Sequence, residues 1–152
     1  MGGKGVEIVA MEQRHLDRLA ELEAMCFSTP WSRKALEEEL DNPNAVFLVA
    51  EEEGAPLGYA GMHCAAGEGY VDNVAVFPAA RRRGVATALL EALELAARDR
   101  EGEFLSLEVR PSNTGAVALY RRLGFEEAGR RRDFYRDPRE DGLILTKRLV
   151  VC

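Results

Sequence analysis

The interpretation of this chain starts from one stretch, Val71-Asp72-Asn73-Val74-Ala75-Val76-Phe77-Pro78, which is followed by Arg81-Arg82-Arg83-Gly84-Val85-Ala86. It predicts an apolar strand that stops at a proline, a basic Gly-x-Ala turn and the start of a helix. The first N–H groups of a helix have no intrahelical partner and carry a partial positive charge, so this turn can hold an anion. It has neither the Gly-Lys-Ser/Thr of a Walker loop nor the three spaced glycines of a dinucleotide fingerprint. A phosphate-bearing cofactor is therefore expected, with a plain strand-to-helix turn as the alternative.

A second segment further along the chain narrows this interpretation. Leu105-Ser106-Leu107-Glu108-Val109-Arg110-Pro111-Ser112-Asn113 is followed by Ala118-Leu119-Tyr120-Arg121-Arg122-Leu123-Gly124-Phe125. In this order the two segments resemble motifs A and B of the GNAT family of acetyl-CoA-dependent N-acetyltransferases. Together with Cys26-Phe27-Ser28-Thr29-Pro30-Trp31-Ser32, the second segment is most similar to the RimI type, which acetylates the N-terminal alanine of a small-subunit ribosomal protein. The resemblance extends from about residue 7 to residue 149.

The composition is that of an ordinary globular protein. With 152 residues, 47% hydrophobic and 30% charged, the chain is expected to form one domain over 1–152 with a flexible tail at 1–5. No signal peptide is expected, and no apolar run approaches the roughly 18 residues that a membrane span needs. Cys26, Cys64 and Cys152 show no metal-ligand spacing, which favours a reducing cytoplasm over a disulfide framework.

The charge pattern bears on the partners. The formal net charge of −6 argues against a nucleic-acid binder and suits a basic peptide substrate through long-range attraction. Arginines nevertheless cluster at 81–83, 121–122 and 130–132, as phosphate neighbours or as solvated faces. The two histidines, His15 and His63, lie far apart, so no metal site is expected. A monomer or weak dimer is expected.

Hydrophobic periodicity and turn residues predict the order β-α-α-β-β-β-α-β-α-β-β. The strands are predicted at 6–9, 46–50, 57–64, 70–77, 104–109, 126–134 and 142–149. The helices are predicted at 11–27, from Ser32 to the Asn42-Pro43 pair, at 84–100 and at 114–123. The third helix is expected to bury Val85, Leu89, Leu93 and Ala96, and Gly124 to end the fourth in a left-handed cap. The GNAT resemblance implies an α+β fold whose mixed, mostly antiparallel sheet is splayed between strands 4 and 5 and flanked by about four helices.

The resemblance also implies how acetyl-CoA is held. The pyrophosphate is expected on backbone N–H groups of the basic turn. The fourth strand is expected to pair with the pantetheine arm and to aim an N–H at the acetyl oxygen, a contribution of roughly 3 kcal/mol to catalysis. Asn113 is expected to contact the arm, with a helix N-cap as its alternative role. The predicted cofactor contacts are Val74, Ala75, Val76, Arg81, Arg82, Arg83, Gly84, Val85, Ala86, Thr87, Asn113 and Tyr120.

Two side chains are candidates for proton transfer. Glu108 is a lone carboxylate in an apolar strand, where burial would raise its pKa from about 4.3 towards that of a useful base. The resemblance gives it the same role, and the alternative is that it points to solvent. Tyr120 is the candidate acid for the leaving thiolate, and the alternative is an aromatic ring that only packs on the cofactor arm.

Peptide recognition is expected at two places, the loop from Phe27 to Trp31 and the segment Asp133-Phe134-Tyr135. RimI-type enzymes carry a polar residue and two tyrosines at the second place, whereas this chain keeps only Tyr135. The candidate substrate-binding residues are Phe27, Trp31 and Tyr135, although a single tryptophan is more often part of a core.

The sequence thus predicts an acetyl-CoA-dependent acetyltransferase acting on a protein N-terminus, with no nucleic-acid or membrane partner. A GNAT enzyme acting on a lysine, a polyamine or a small-molecule amine is one alternative. A non-catalytic acyl-CoA-binding regulatory module is the other.

Overall fold

A computed structural model describes residues 5–149 of the chain. Within this range the strands are β1 (Glu7–Ala10), β2 (Ala45–Glu52), β3 (Ala55–Ala65), β4 (Glu68–Val76), β5 (Phe104–Val109), β6 (Glu126–Tyr135) and β7 (Glu140–Arg148). The helices are α1 (Leu16–Cys26), α2 (Arg33–Glu39), α3 (Val85–Asp99) and α4 (Thr114–Arg122). The predicted tail at 1–5, apart from Gly5, and Cys152 lie outside the described residues.

The predicted order of elements is confirmed, with small differences at their ends. The first predicted helix begins as a 3₁₀ turn at Gln13–His15, and α1 starts only at Leu16. In α3 the fully packed alanine is Ala97, whereas the predicted Ala96 is only partly buried. None of the helices within residues 5–149 is long and apolar enough to span a membrane.

The strands of residues 5–149 form one sheet in the order β1-β2-β3-β4-β5-β7-β6. Adjacent strands are antiparallel except for β4 and β5, which are parallel. This pair is joined only from Glu68 to Val71 on β4, against Phe104 to Leu107 on β5. Beyond that point β4 remains paired with β3 and β5 with β7, so the predicted splay between strands 4 and 5 is confirmed.

A β-bulge lies where the two strands separate. Gly61 pairs with Asn73 and Met62 with Val71, so Asp72 is an extra residue on β4. A bulge bends its strand and changes which face the following side chains occupy. From the bulge to Val76, β4 has a ladder partner on one side only, and its alternate N–H and C=O groups on the other side face the gap.

The sheet is covered on both faces. One core lies under α3 and includes Val85, Leu89 and Leu93, and the other lies under α1 and α2 and includes Leu19 and Leu36. Burying each of these side chains stabilises the fold by about 1.5–3 kcal/mol. The gap between β4 and β5 is therefore held open between two packed layers.

Local capping follows the sequence. The Ser32 hydroxyl accepts a hydrogen bond from the Ala35 N–H at 3.1 Å and starts α2. Gly124 has φ +100°, and the Phe125 N–H donates to the Tyr120 carbonyl at 3.0 Å, which closes α4 in a Schellman motif. The same turn places the Tyr120 ring edge-on to Phe125, with 5.8 Å between ring centroids.

Candidate active site

The N-terminus of α3 is an open cluster of backbone donors. Gly84 is its N-cap residue with φ +76°, and Arg82 also has a positive φ of 66°. The Ala88 N–H donates to the Gly84 carbonyl, so it is the first amide bonded within the helix, and the three amides before it have no helical acceptor. Gly84 provides no side-chain cap, and a Cβ built on it would meet nothing within 4 Å. The turn thus has room and donors for an anionic group.

The three arginines of this turn point in different directions. Arg83 forms a double hydrogen bond with Glu52 at 2.6 and 3.2 Å, which holds the turn against the β2–β3 hairpin. Arg81 donates from Nε to the Val76 carbonyl at 3.1 Å, at the end of the open edge of β4. Within residues 5–149 no hydrogen bond or ion pair involves the Arg82 side chain. Arg82 is therefore the guanidinium available to a phosphate, whereas Arg81 and Arg83 are engaged.

Glu108 lies at the open end of the splay, and its side chain is only 3% exposed. This excludes the solvent-facing alternative. The Tyr70 hydroxyl donates to Oε1, and Arg131 Nε donates to Oε2. Both oxygens of the candidate base therefore have partners, one from the adjacent strand β4 and one from β6, which lies beyond β7.

Tyr70 and Arg131 were missed in the sequence. Tyr70 comes from β4, two residues before the bulge, and burial together with the hydrogen bond to Glu108 raises the pKa of its hydroxyl. Arg131 comes from β6, and its guanidinium also lies over the Phe134 ring at 5.9 Å. The contact between Tyr70 and Glu108 depends on the pairing of β4 with β5. A tyrosine within a strand is too common a pattern to indicate such a contact from the sequence.

Tyr120 is partly buried against the core under α3 and packs on Phe125. Burial raises the pKa of its hydroxyl to about 12. Among residues 5–149 this hydroxyl has no hydrogen-bond partner, and it is close enough to Tyr135 to interact with it electrostatically. Tyr120 is thus protonated at any working pH, and its hydroxyl is free to donate a hydrogen bond.

Asn113 caps α4. Its side-chain oxygen accepts from the Ala116 N–H at 3.2 Å, as the alternative interpretation expected. The side chain is exposed and its NH₂ group makes no bond to the described part of the chain. The cap role therefore does not exclude a contact between this NH₂ and a bound ligand.

The two predicted peptide-binding places lie side by side, and we call the surface that they border the opening. Trp31 is partly buried with its ring 5.6 Å from that of Phe47, and Phe27 packs against the same core. The Ser28 hydroxyl donates to the Arg136 carbonyl at 3.3 Å, which connects the loop after α1 to the β6–β7 turn. The loop is thus partly core and partly wall of the opening.

Arg110 holds the other side of the opening, another role that sequence reasoning missed. Its guanidinium lies 4.5 Å from the Tyr135 ring centre and donates to the carbonyls of Pro138 and Arg136 at 2.8 and 3.0 Å. Burial and the Glu108 charge, opposed by Arg110, raise the pKa of Tyr135 to about 12. Two more arginines of the predicted clusters, Arg121 and Arg130, lie near Glu127 on an exposed surface.

Similarity to known proteins agrees with this geometry. Residues 16–125 match the Acetyltransferase (GNAT) family. The N-alpha-acetyltransferase RimI of Mycobacterium tuberculosis is 38% identical over 137 residues, which cover 86% of this chain and 85% of that protein. The ribosomal protein bS18-alanine N-acetyltransferase of Escherichia coli is 34% identical over 140 residues, covering 91% and 94%. A crystal structure of that Escherichia coli enzyme type superposes with a TM-score of 0.88 at 31% identity, covering 97% of this chain and 96% of the other.

Proposed function

The chain belongs to the GNAT family of acetyltransferases, and we propose that it transfers an acetyl group from acetyl-CoA to the N-terminal α-amine of a protein. The substrate proposed is the N-terminal alanine of a small-subunit ribosomal protein, because relatives with that activity match over most of their length. One observation carries the proposal. A buried carboxylate, Glu108, lies where β4 and β5 separate, beside the unpaired edge of β4.

The described residues fit acetyl-CoA, which supplies the reactive thioester when bound. The unbonded amides at the start of α3 suit its pyrophosphate, and Arg82 adds a free positive charge. The open edge of β4 at Val74–Val76 suits the amide-bearing arm, since it can pair as an added strand. Arg81 must release the Val76 carbonyl if that oxygen is to accept a bond from the arm. The exposed NH₂ of Asn113 is the side-chain donor proposed for the same arm.

Glu108 is proposed to take the proton from the α-amine. An α-amine has a pKa of about 8, so a modest base is sufficient near neutral pH. Tyr70 and Arg131 each use one acceptor site of the carboxylate, and each oxygen keeps a second site, so the proton can reach Glu108 directly or through a bridging water. Arg131 is the contact more easily released, since its side chain is 60% exposed.

Tyr120 is proposed to hydrogen-bond and protonate the leaving thiolate. With a pKa of about 12, its hydroxyl is a weaker acid than a thiol of about 8.5 by three to four units. Proton transfer is therefore uphill unless the hydroxyl is held directly against the sulfur. The hydroxyl makes no hydrogen bond within residues 5–149, so it is free to form that contact.

Peptide binding is proposed between the loop at Phe27 and Trp31 and the Tyr135 ring. Phe134 stands where RimI-type enzymes are expected to carry a tyrosine. Because this difference can change which N-terminal residues are accepted, the breadth of N-terminal specificity has to be measured. We propose that the enzyme works in the cytoplasm as one catalytic domain.

The test is acetyl transfer from acetyl-CoA to a short peptide that begins with the ribosomal protein's N-terminal alanine. A matched peptide has a blocked α-amine and an internal lysine. Transfer to the free α-amine alone is expected. Transfer to the lysine peptide, or binding of acetyl-CoA without transfer to either peptide, would contradict the proposed substrate, and lysine, polyamine and small-molecule amines would then be compared.

A further inference from the structure

A second carboxylate, Glu23 on α1, is completely buried on the face of the sheet that α1 covers. Its exposed fraction is 0%, and burial raises the pKa of this carboxyl, although the hydrogen bonds it accepts oppose the shift. Within residues 5–149 no lysine, arginine or histidine forms an ion pair with it. A buried carboxylate without a cation is costly for a fold and is therefore a marker of a functional neighbourhood.

Three donors from three elements converge on Glu23. The Trp31 backbone N–H donates to Oε1 at 2.8 Å, and the Asn73 side-chain NH₂ donates to Oε2 at 2.9 Å. The Tyr59 hydroxyl from β3 also donates to Oε2. A carboxylate has acceptor sites on both oxygens and no hydrogen to donate, so it satisfies all three donors together.

These contacts connect the peptide-binding loop to the splayed strand. Trp31 ends the loop that begins at Phe27, and Asn73 is the residue between the β4 bulge and the open edge at Val74. The loop is also held by the packing of Trp31 on Phe47 and by the Ser28 hydrogen bond to the β6–β7 turn. Glu23 is the side chain that joins the loop by hydrogen bonds to the strand that bounds the gap.

We infer that Glu23 is a positioning residue for the acceptor peptide, acting through the Trp31 backbone and Asn73 without touching the substrate. This inference rests on the proposed function, because it assigns Glu23 to the peptide side of that site. A residue of this kind governs peptide affinity more than the chemical step. Its loss is expected to raise KM for the peptide and to leave acetyl-CoA affinity unchanged.

A purely structural role would give a different result. Glu51 is a comparable buried carboxylate, 5% exposed, but it is paired with Arg14 at 2.7 Å and with His15 at 2.5 Å, away from the opening. The hydrogen bond with His15, supported by the Arg14 charge, lowers the pKa of Glu51 in spite of its burial. Glu51→Met is therefore the control for removal of a buried carboxylate.

The experiment compares Glu23→Met, Glu51→Met and the unchanged enzyme at a temperature well below unfolding. Glu23→Met should raise KM for the alanine peptide about tenfold with kcat within about twofold, since a loop donor loses its buried acceptor. The sequence contains one tryptophan, so its fluorescence reports Trp31 alone. Acrylamide quenching of that fluorescence should increase in Glu23→Met and remain unchanged in Glu51→Met.

The outcomes separate this inference from the proposed function. A folded Glu23→Met enzyme with unchanged KM and unchanged quenching overturns the role of Glu23. If the unchanged enzyme acetylates no peptide, the proposed function fails, and the quenching comparison still decides whether Glu23 holds the loop. If Glu23→Met does not fold, Glu23→Asp decides, because it keeps the charge but is too short to reach both Trp31 and Asn73. Glu23→Asp should raise quenching and KM in the same direction, and wild-type values would overturn the inference.

Discussion

Glu108 is the residue on which the proposed chemistry depends most directly. Replacing it by glutamine keeps its size and one acceptor oxygen but removes the proton acceptor. We expect Glu108→Gln to lower kcat roughly 100-fold or more near pH 7. The loss should shrink above pH 8, where more of the α-amine is already neutral. Steady-state rates between pH 6 and 9.5 measure this, with Glu126→Gln on the exposed part of β6 as the control. A variant with wild-type turnover across that range would exclude Glu108 as the base.

Tyr120 gives a second prediction at the same scale. Phenylalanine keeps the ring contact with Phe125 and removes only the hydroxyl that has no partner among residues 5–149. Tyr120→Phe should lower kcat by roughly 100-fold while acetyl-CoA affinity stays the same. Because burial raises the pKa of Tyr120 to about 12, the defect should remain constant up to about pH 10. Rate measurements and cofactor titration test this, and a normal kcat would leave Tyr120 with a packing role alone.

At the scale of elements, the β6–β7 turn depends on one arginine, Arg110, which directly follows β5. Arg110 stacks on Tyr135 and donates to two carbonyls of the turn. A lysine keeps the charge but not the planar, forked donor. Arg110→Lys should raise peptide KM roughly tenfold with little change in kcat. Arg139→Lys in the same turn is the control, and an equal KM in the two variants would show that the turn does not need this anchor.

The same elements show how far the sequence could be interpreted. Periodicity and the Gly-x-Ala turn predicted the order of strands and helices, because each signal is local to its element. The partners of Glu108 could not be predicted, since Arg131 approaches it across β7 and β6 shifts register twice along that pairing. The first shift inserts one residue, Ala128, and so reverses which of the following side chains face the site. The Arg83 side chain was placed near the phosphates by its neighbours in sequence, whereas its partner, Glu52, is on a hairpin that only the tertiary fold brings close.

At the scale of the whole molecule, a cluster of charged side chains lies at the β4 bulge, where the splay begins. His63 on β3 lies between two carboxylates, with Nδ1 2.5 Å from Asp72 and Nε2 2.8 Å from Glu39. Asp72 is the bulge residue of β4, and Glu39 is at the end of α2, so the cluster joins one helical layer to the point where the sheet opens. Burial disfavours the charged imidazole, but the Glu39 hydrogen bond and the charge and hydrogen bond of Asp72 raise the pKa of His63 overall.

This cluster predicts a specific dependence of stability on pH. A histidine whose pKa is raised by folding stabilises the native state fully below its unfolded pKa of about 6.5, and that stability is lost as the pH rises through the higher folded value. Burial also raises the pKa of Asp72, but a carboxyl with an ordinary pKa of 3.8 affects stability mainly in the acid range. Melting temperatures between pH 6 and 8.5 should therefore fall more steeply for the unchanged protein than for His63→Gln. Glu39→Gln should have an intermediate slope, because it removes one of the two carboxylates, and parallel curves for all three proteins would contradict a charged His63 at the bulge.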